Sequence, residues 1–241
     1  MKTVIFAGGL GTRMTGINDG KPKPLLSIGS KPMISHVMDI FVKHGLKDFI
    51  ILTGYKSDEV EYYFKSHKKR YSDLKINCFF TGVETYTGKR LFLAKHLLKG
   101  DFFLTYSDGL SNINLKKLYN FHKKNKKIST VTAVRPPARF GELFLSGNNV
   151  KFFEEKGQLN RGWINGGFFV LRDEFFKFIP KKNIMFEREP VINATKAKQM
   201  VAYKHRSFWQ CVDTKRDLER LKEFISKKKL PWLDLCTEKI F

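Results

Sequence analysis

The chain has 241 residues, 42% of them hydrophobic and 14% aromatic, so it is long and apolar enough to build a sizeable core, which excludes a disordered chain. Its formal net charge of +22 has three possible meanings: a lysine-rich solvated surface that attracts phosphate-bearing substrates, attachment to an anionic membrane, or nucleic-acid binding. The lysines form short, scattered runs without an RNA-binding aromatic motif or a zinc finger, so we favour the solvated surface and expect no nucleic-acid partner.

Apolar runs and cysteines exclude further classes. The longest apolar runs have the length of a strand, so we expect no integral membrane segment. The residues after Met1 lead into a strand without the apolar region of a signal peptide, so we expect a cytoplasmic protein. Cys78, Cys211 and Cys236 are far apart and form no CxxC, which indicates neither a zinc site nor a disulfide framework.

The first predicted element is a buried strand over residues 3–7, followed by a loop that reads Gly8-Gly9-Leu10-Gly11-Thr12-Arg13. Ligands of open α/β sheets bind at such carboxyl ends of strands, and glycines let backbone N–H groups approach phosphate oxygens. The loop lacks the Gly-Lys-Ser/Thr of a P-loop, and Met14 stands where a dinucleotide fingerprint needs its third glycine. A structural turn is the alternative for the glycines alone. Arg13 and the extended run Lys21-Pro22-Lys23-Pro24 add the cations that a triphosphate needs.

Helices and strands then alternate in the rhythm of a parallel sheet. Pro32 is predicted as the first residue of a helix that Gly45 ends, and residues 49–52 as a buried strand. Asp58-Glu59-Val60-Glu61 predicts a capping box at the start of a second helix. Further strands are predicted over residues 75–81, 102–106, 129–134, 168–171 and 201–205, and further helices over residues 85–98, 114–125, 189–198 and 214–227.

Two other features of the second half stand apart from this rhythm. Residues 142–146 and 150–155 predict a β-hairpin turned by Gly147-Asn148-Asn149. The tail from Pro231, with Trp232 among polar residues, is a candidate for packing on a partner subunit.

Two aspartates are candidates for a metal site. Asp108 follows the strand over residues 102–106 and precedes a glycine, where a carboxylate can hold Mg²⁺ beside phosphates. Asp213 offers a second carboxylate ahead of the helix over residues 214–227. A simple Asp-Gly turn is the alternative for Asp108 alone. Asn165 can donate and accept toward hydroxyl groups, and the adjoining Gly166-Gly167 leaves room for a sugar ring.

These motifs resemble those of the sugar-1-phosphate nucleotidyltransferases and, within them, the glucose-1-phosphate cytidylyltransferases. The resemblance covers nearly the whole chain. Besides the first loop, it rests on Lys31-Pro32-Met33, on residues 44–51, on Gly54-Tyr55-Lys56, on Tyr106-Ser107-Asp108-Gly109, on residues 136–141 and 164–170, on Glu187-Arg188-Glu189-Pro190 and on residues 208–214.

The resemblance implies a fold and a reaction. The fold is a single α/β nucleotidyltransferase domain over residues 1–241, Rossmann-like and three-layered, with a mixed, mostly parallel central sheet and a small added β-hairpin region. A nucleotide-binding half spans about residues 1–134 and a sugar-phosphate-binding half about residues 135–241. The reaction transfers a cytidylyl group from CTP to a sugar 1-phosphate, first of all glucose 1-phosphate, with Mg²⁺ as cofactor. It gives a CDP-sugar for surface polysaccharides and pyrophosphate, in an enzyme that we expect to be a homo-oligomer.

The resemblance also implies roles for the matching residues. Arg13 and Lys23 are catalytic, and Asp108 and Asp213 share the metal ion. Arg90 contacts the cytosine, and Lys156 holds the sugar phosphate. The nucleotide-binding set is Ala7, Gly8, Gly9, Gly11, Thr12, Arg13, Thr87, Gly88, Arg90 and Ser107, and the substrate-binding set is Glu155, Lys156, Asn165, Gly166 and Trp209.

Three departures from the family pattern keep alternatives open. Lys89 stands where a second glycine belongs, Gly157 replaces a proline, and the segment between Tyr55 and Gly88 is shorter than is typical. Another nucleotide remains an alternative, and so does another acceptor, such as a different hexose phosphate, a heptose phosphate or a phosphorylated non-sugar. A non-catalytic basic binding protein on the same fold is a second alternative. For Arg90 the alternative is a helix-surface cation, and for Lys156 a solvated lysine.

Overall fold

The computed structural model describes residues 1–11, 20–136, 142–154 and 162–234, and its first half alternates strands and helices. Its elements are β1 (Lys2–Phe6), β2 (Ser27–Ile28), β3 (Lys31–Pro32), α1 (Met33–Val42), β4 (Asp48–Thr53), α2 (Ser57–Ser66), β5 (Lys75–Phe80), α3 (Thr87–Leu93), β6 (Asp101–Tyr106), β7 (Gly109–Ser111), α4 (Leu115–Asn125) and β8 (Ser129–Val134). The second half contains β9 (Glu142–Ser146), β10 (Asn149–Glu154), β11 (Ile164–Arg172), α5 (Glu189–Lys196), β12 (Met200–His205), β13 (Trp209–Cys211) and α6 (Lys215–Ser226).

Seven of these strands form one sheet in the order β12-β8-β11-β6-β1-β4-β5. Neighbouring strands run parallel except at β11, which is antiparallel to both β6 and β8. The predicted mixed, mostly parallel α/β sheet is therefore confirmed. β1 is an interior strand between β6 and β4, so the glycine-rich loop leaves the sheet between these two neighbours, at the edge where parallel strands end.

Two hydrophobic cores cover the two faces of the sheet. Side chains of a strand alternate between faces, so Ile5 of β1 enters one core while Val4 and Phe6 enter the other. Helices α1, α2, α4 and α6 supply residues to the first core, and α3 and α5 supply residues to the second. This double burial gives the central strands their continuous apolar runs, and it produces the three layers that the resemblance implied.

Short antiparallel ladders stand outside the main sheet. β9 and β10 form the predicted hairpin, with Gly147 at a positive φ of 56° in its turn. β2 pairs with β3 and β7 pairs with β13, and neither of these ladders was predicted. The β7–β13 ladder ties the end of β6 to the segment before α6, which brings distant parts of the chain together.

Three local predictions were wrong. Pro32 belongs to β3 and precedes α1, whose first residue is Met33. Helix α2 has no side-chain cap, because it begins at Ser57 after Lys56, which adopts a left-handed conformation. Trp232 is 1% exposed within its own chain, where it contacts His36 and Phe208, so it is not available to a partner subunit. None of the helices in the described ranges is both long and apolar enough to cross a membrane.

Candidate active site

Lys23 is held close to the glycine-rich loop by the prolines on either side of it. It begins a 3-10 helix, Lys23–Leu25, which Pro22 precedes in an extended conformation and in which Pro24 is buried. Gly11 approaches it so closely that a Cβ at Gly11 would lie 3.2 Å from the Lys23 Cβ. Gly11 also has a φ of +66°, which favours glycine. The backbone therefore fixes where the Lys23 side chain starts.

Asp108 and Asp213 meet because of the β7–β13 ladder. In its register, Cys211 pairs with Gly109 at one end of the ladder. Asp108 precedes Gly109 and Asp213 follows Cys211, so both aspartates lie at this end. The Val212 N–H donates to the Asp108 carbonyl over 3.0 Å, which closes this end. The two carboxylates, 105 positions apart in the numbering, are thereby placed beside each other.

Lys23 bridges these two carboxylates. Its Nζ donates to Asp108 Oδ2 over 2.6 Å and to Asp213 Oδ1 over 3.0 Å. Only 14% of the lysine side chain is exposed, against 26% and 30% for the aspartates. Burial acts to lower the pKa of Lys23, but Asp108 and Asp213 outweigh it and the net effect raises this pKa. The lysine is therefore charged at neutral pH, at the meeting point of two carboxylates.

A cavity of about 260 Å³ opens beside this ion-pair group. Its wall combines Asp108 and Asp213 with the strand β11 residues 164–167, the aromatic side chains of Tyr106 and Trp209, and Cys211. A larger cavity of about 400 Å³, between the β2–β3 turn and α2, contains neither aspartate. The smaller cavity thus places both carboxylates and a glycine-lined wall at the carboxyl end of the sheet, and the Lys23 ammonium contacts the two carboxylates.

The carboxylate pair suits a divalent cation. Both aspartates already contact one positive charge, the Lys23 ammonium, and oxygen ligands are those that hard cations prefer. Across the described ranges, no three His, Cys, Asp or Glu side chains cluster in a way that could hold a metal ion. A metal here would therefore depend on these two carboxylates together with oxygens of substrate or water, which is a mode that Mg²⁺ often adopts.

Arg90 has partners different from those that the resemblance implied. It is 2% exposed, and its guanidinium donates to five acceptors: the carbonyls of Gly8, Thr53, Gly82 and Val83 and the hydroxyl of Thr81. Burial lowers the pKa of Arg90 to about 10, so it remains charged at neutral pH. Arg90 is therefore not the helix-surface cation of the alternative. It ties the ends of β1, β4 and β5 together, and its contact with a cytosine stays a prediction.

Gly8 makes room for Arg90. A Cβ at Gly8 would lie 2.5 Å from the Arg90 guanidinium carbon, and one at Gly54 would lie 2.4 Å from a guanidinium nitrogen. Gly9, in contrast, has nothing within 4 Å of an added Cβ. The first glycine therefore serves internal packing, whereas the second leaves open space at the loop. Ala7 is 2% exposed and continues β1 through a hydrogen bond to the Leu52 carbonyl, 2.9 Å long.

The other predicted nucleotide-binding residues divide into two places. Ser107 is buried and pairs with the Phe6 carbonyl, next to the cavity. Thr87 and Gly88 start α3 against residues 184–187, where Thr87 donates to Glu187 Oε2 over 3.2 Å. A Cβ at Gly88 would lie 2.8 Å from the Ile184 carbonyl oxygen, so this glycine permits a close contact between segments. Neither Thr87 nor Gly88 lines the 260 Å³ cavity.

Asn165, Gly166 and Trp209 lie together in the wall of the cavity. The Trp209 indole is 7% exposed and donates from Nε1 to the Gly166 carbonyl over 2.7 Å. Asn165 Oδ1 accepts from the Gly167 N–H over 2.8 Å, and the Asn165 side chain also forms a hydrogen bond with the Tyr106 hydroxyl. Thr12, Arg13, Glu155 and Lys156 lie outside the described residues, so their predicted roles stay predictions.

Tyr106 and Cys211 are among the lining residues that were not predicted. The Tyr106 hydroxyl donates to Glu187 Oε1, and burial followed by the charge of Glu187 raises the Tyr106 pKa well above its ordinary value. Burial raises the pKa of the Cys211 thiol to about 12, so this cysteine is not a thiolate at neutral pH. Glu187 belongs to a motif that carried the resemblance, and that motif was the available signal for a role near the cavity.

One family of known proteins matches nearly the whole of this chain. A family model described as "Nucleotidyl transferase" matches residues 2–234. This chain belongs to the nucleotidyl transferase family. Two curated relatives of this nucleotidyl transferase are the glucose-1-phosphate cytidylyltransferases of Salmonella typhi and Salmonella typhimurium strain LT2. Each is 37% identical, and each alignment covers 96% of this chain and 98% of the relative. The resemblance seen in the motifs is therefore confirmed over nearly the full length.

A solved structure supports the fold of this nucleotidyl transferase. HddC from Yersinia pseudotuberculosis, complexed with GMP-PN, superposes with a TM-score of 0.72. The match covers 93% of this chain and 99% of HddC at 21% sequence identity. At that identity the likeness concerns the fold alone. Nucleotidyltransferases of this family generally use a divalent metal, in keeping with the carboxylate pair.

Proposed function

We propose that this nucleotidyl transferase moves a cytidylyl group from CTP to a sugar 1-phosphate, with glucose 1-phosphate as its preferred acceptor. The observation that carries the proposal is the Lys23 ammonium between Asp108 and Asp213, two aspartates in the wall of a cavity that could hold a sugar ring. The names of the 37% identical relatives support the choice of nucleotide and acceptor. The product is a CDP-sugar, which we expect to serve surface polysaccharide synthesis.

The chemistry needs positioning more than proton transfer. An oxygen of the sugar phosphate attacks the α-phosphorus of CTP, a new P–O bond forms, and the bond to the bridging oxygen breaks to release pyrophosphate. The attacking oxygen is already an anion at neutral pH, so a general base has no task here. The obstacle is repulsion between two polyanions, and the ammonium of Lys23, a side chain that is 14% exposed, supplies a positive charge for the α-phosphate.

Mg²⁺ is the proposed metal. Asp108 and Asp213 would hold it, and it would neutralise charge on the phosphates when bound. In this arrangement Lys23 no longer needs to balance both carboxylates and can turn toward the α-phosphate. Arg13 and Lys156 complete the proposal as cations for the triphosphate and the sugar phosphate. Residues 1–134 would then bind mainly nucleotide and residues 135–241 mainly sugar phosphate.

A coupled pyrophosphate-release assay tests the proposal. Purified protein is supplied with Mg²⁺, each of the four nucleoside triphosphates and a panel of hexose and heptose 1-phosphates. We expect the highest kcat/KM for CTP with glucose 1-phosphate. A preference for UTP or GTP would refute the cytidylyl assignment but keep the reaction class. No pyrophosphate from any mixture, in a folded sample, would refute nucleotidyl transfer and favour a non-catalytic binding protein.

A further inference from the structure

Three cations surround one tryptophan at the edge of the sheet. Arg135 Cζ lies 5.0 Å from the centroid of the Trp163 ring, Lys204 Nζ lies 5.7 Å away, and Arg206 Cζ lies 5.9 Å away. All three distances fall within the range of cation–π contacts. We call these four residues the Trp163 cluster. It gathers three positive charges around a single indole.

The cluster follows from the register of three neighbouring strands, β11, β8 and β12. Val134 of β8 pairs with Ile164 of β11 and with His205 of β12. Arg135, Trp163 and Arg206 each lie one position from this row, on the same side of it. Lys204 lies one position from the row on the opposite side. Side chains alternate between the faces of a sheet, so the four cluster side chains leave on the same face. The sheet itself therefore preorganises the three charges.

These charges lack a counterion among the residues that the structure describes. Lys23 and Lys56 show the contrast, since Lys23 contacts two aspartates and Lys56 contacts Glu59. Among the acidic side chains that the structure describes, none pairs with a cation of the Trp163 cluster. The Nε of Arg135 is buried without a hydrogen-bond partner there. Like charges repel, so an external anion would stabilise the three cations of the cluster.

The chemistry of the cluster favours an oxyanion. Two guanidinium groups offer planar, paired donors that match the oxygens of a phosphate or carboxylate, and the lysine adds a third cation. Arg135 is half-buried, while Lys204 and Arg206 are exposed, so the donors can be reached from solvent. Trp163 directly precedes Ile164 and Asn165, which line the 260 Å³ cavity. The cluster is thus next to the wall assigned to the sugar.

We propose that the Trp163 cluster is a second oxyanion site, which binds a phosphate or carboxylate group that the acceptor carries in addition to its reacting 1-phosphate. This inference rests on the proposed function, because it extends the acceptor beyond a neutral sugar ring. A free phosphate ion shares the same chemistry and is the other source that the experiment separates. The cluster would select acidic or doubly phosphorylated acceptors over neutral sugar phosphates.

The test compares glucose 1-phosphate with glucose 1,6-bisphosphate on the whole protein. Binding is measured without nucleotide, by titration calorimetry and by tryptophan fluorescence, and inorganic phosphate is titrated in parallel. The variant is Arg135→Gln/Arg206→Gln, and Lys123→Gln/Lys124→Gln on α4 removes two exposed charges as the matched control. We expect the bisphosphate to bind about tenfold more tightly than glucose 1-phosphate in the wild type and the control, because of the added charge-assisted hydrogen bonds. The double arginine variant should lose this difference.

Each other outcome has a stated meaning. Equal binding of both sugars by the wild type, or an unchanged difference in the arginine variant, would overturn the proposal. Inorganic phosphate that saturates the fluorescence change at the same concentration as the bisphosphate would also overturn it, in favour of a free-ion site. Trp163→Phe should remove the additional fluorescence change that the bisphosphate causes over glucose 1-phosphate, since Trp209 lines the sugar cavity and Trp232 is buried elsewhere. If the arginine variant does not fold, Lys204→Gln takes its place.

A kinetic arm separates this inference from the proposed function. With CTP, the wild type should show a lower KM for the bisphosphate than for glucose 1-phosphate at a similar kcat, and the arginine variant should show equal KM values. If no nucleotide gives turnover but the cluster still selects the bisphosphate in the binding arm, the proposed function fails and the oxyanion site stands. If turnover occurs without selection in either arm, the oxyanion site fails and the proposed function stands.

Discussion

Lys23 is the residue at which the two carboxylates and the reacting phosphate would meet. Lys23→Gln keeps most of the side-chain volume but removes the charge, so we expect kcat to fall about 10²- to 10³-fold, as for the loss of one transition-state donor. Pyrophosphate release with CTP and glucose 1-phosphate measures the effect. Lys124→Gln, an exposed charge on α4, is the control and should keep wild-type kinetics. A Lys23→Gln enzyme with unchanged kcat would remove Lys23 from the reaction.

Arg90 is predicted to act on stability rather than on the base. Arg90→Lys keeps a positive charge but cannot serve five acceptors, so buried carbonyls lose their donors. We expect the free energy of unfolding to fall by about 3 kcal/mol. Urea unfolding followed by circular dichroism is the measurement. The opposite pattern, unchanged unfolding with a raised KM for CTP, would instead support the cytosine contact.

The first two glycines of the loop provide a matched comparison. Gly8→Ala inserts a methyl group into the Arg90 guanidinium, whereas Gly9→Ala inserts one into open space. We expect Gly8→Ala to lower the free energy of unfolding by about 1 to 3 kcal/mol, as overpacking does, and Gly9→Ala to leave it unchanged. Thermal unfolding of the two variants decides the point. Equal stabilities would mean that Gly8 does not serve the packing of Arg90.

At the scale of elements, the cap of α6 orients a carboxylate of the site. Thr214 and Asp217 form a capping box, and Asp217 Oδ2 also accepts from the backbone N–H of Asp213 over 3.2 Å. Thr214→Ala should cost about 1 kcal/mol of stability and should also lower kcat, because Asp213 loses part of its support. Thr214→Ser keeps the hydroxyl and should restore both. If Thr214→Ala lowers stability but not kcat, the cap does not position Asp213.

Capping shows why element boundaries were harder to predict than elements. Asp58 and Glu61 have the spacing of a capping box, yet α2 begins after Lys56 without any side-chain cap. In the capping box that does form, Thr214 is the N-cap residue, and an aspartate, Asp217, is the third residue of the helix. The spacing of polar residues in the sequence indicates which capping hydrogen bonds could form. The backbone conformation of the residue before the helix determines which of them do form. Hydrophobic runs, in contrast, located the central strands correctly, since burial on both faces demands them.

At the scale of the whole molecule, buried histidines predict how stability depends on pH. His36 and His122 are 3% and 0% exposed, and burial lowers the pKa of each. In the unfolded chain both would bind protons below about pH 6.5, whereas the folded chain resists protonation. Stability is therefore complete above that pH and falls as the pH decreases below it.

Urea midpoints at pH 7.5 and pH 5.5 test this dependence. His36→Gln can still donate to the Ile28 carbonyl that His36 Nε2 contacts over 2.9 Å, because the glutamine amide nitrogen extends about as far as Nε2, but it does not titrate. Its midpoint should therefore change less between the two pH values than that of the wild type. A wild-type midpoint that is the same at both pH values would contradict the prediction.

The amino-acid sequence by itself determined the α/β class, the central strands, the glycine-rich loop and the residue types of the site. Apolar runs and motifs are local properties that each segment carries wherever it folds. Only the tertiary structure decided which of these residues meet. The β7–β13 ladder brings Asp108 to Asp213, the guanidinium of Arg90 fills the space left by Gly8, and three strand registers collect the Trp163 cluster. These contacts depend on the pairing of segments that are distant in sequence, and local sequence patterns do not predict that pairing.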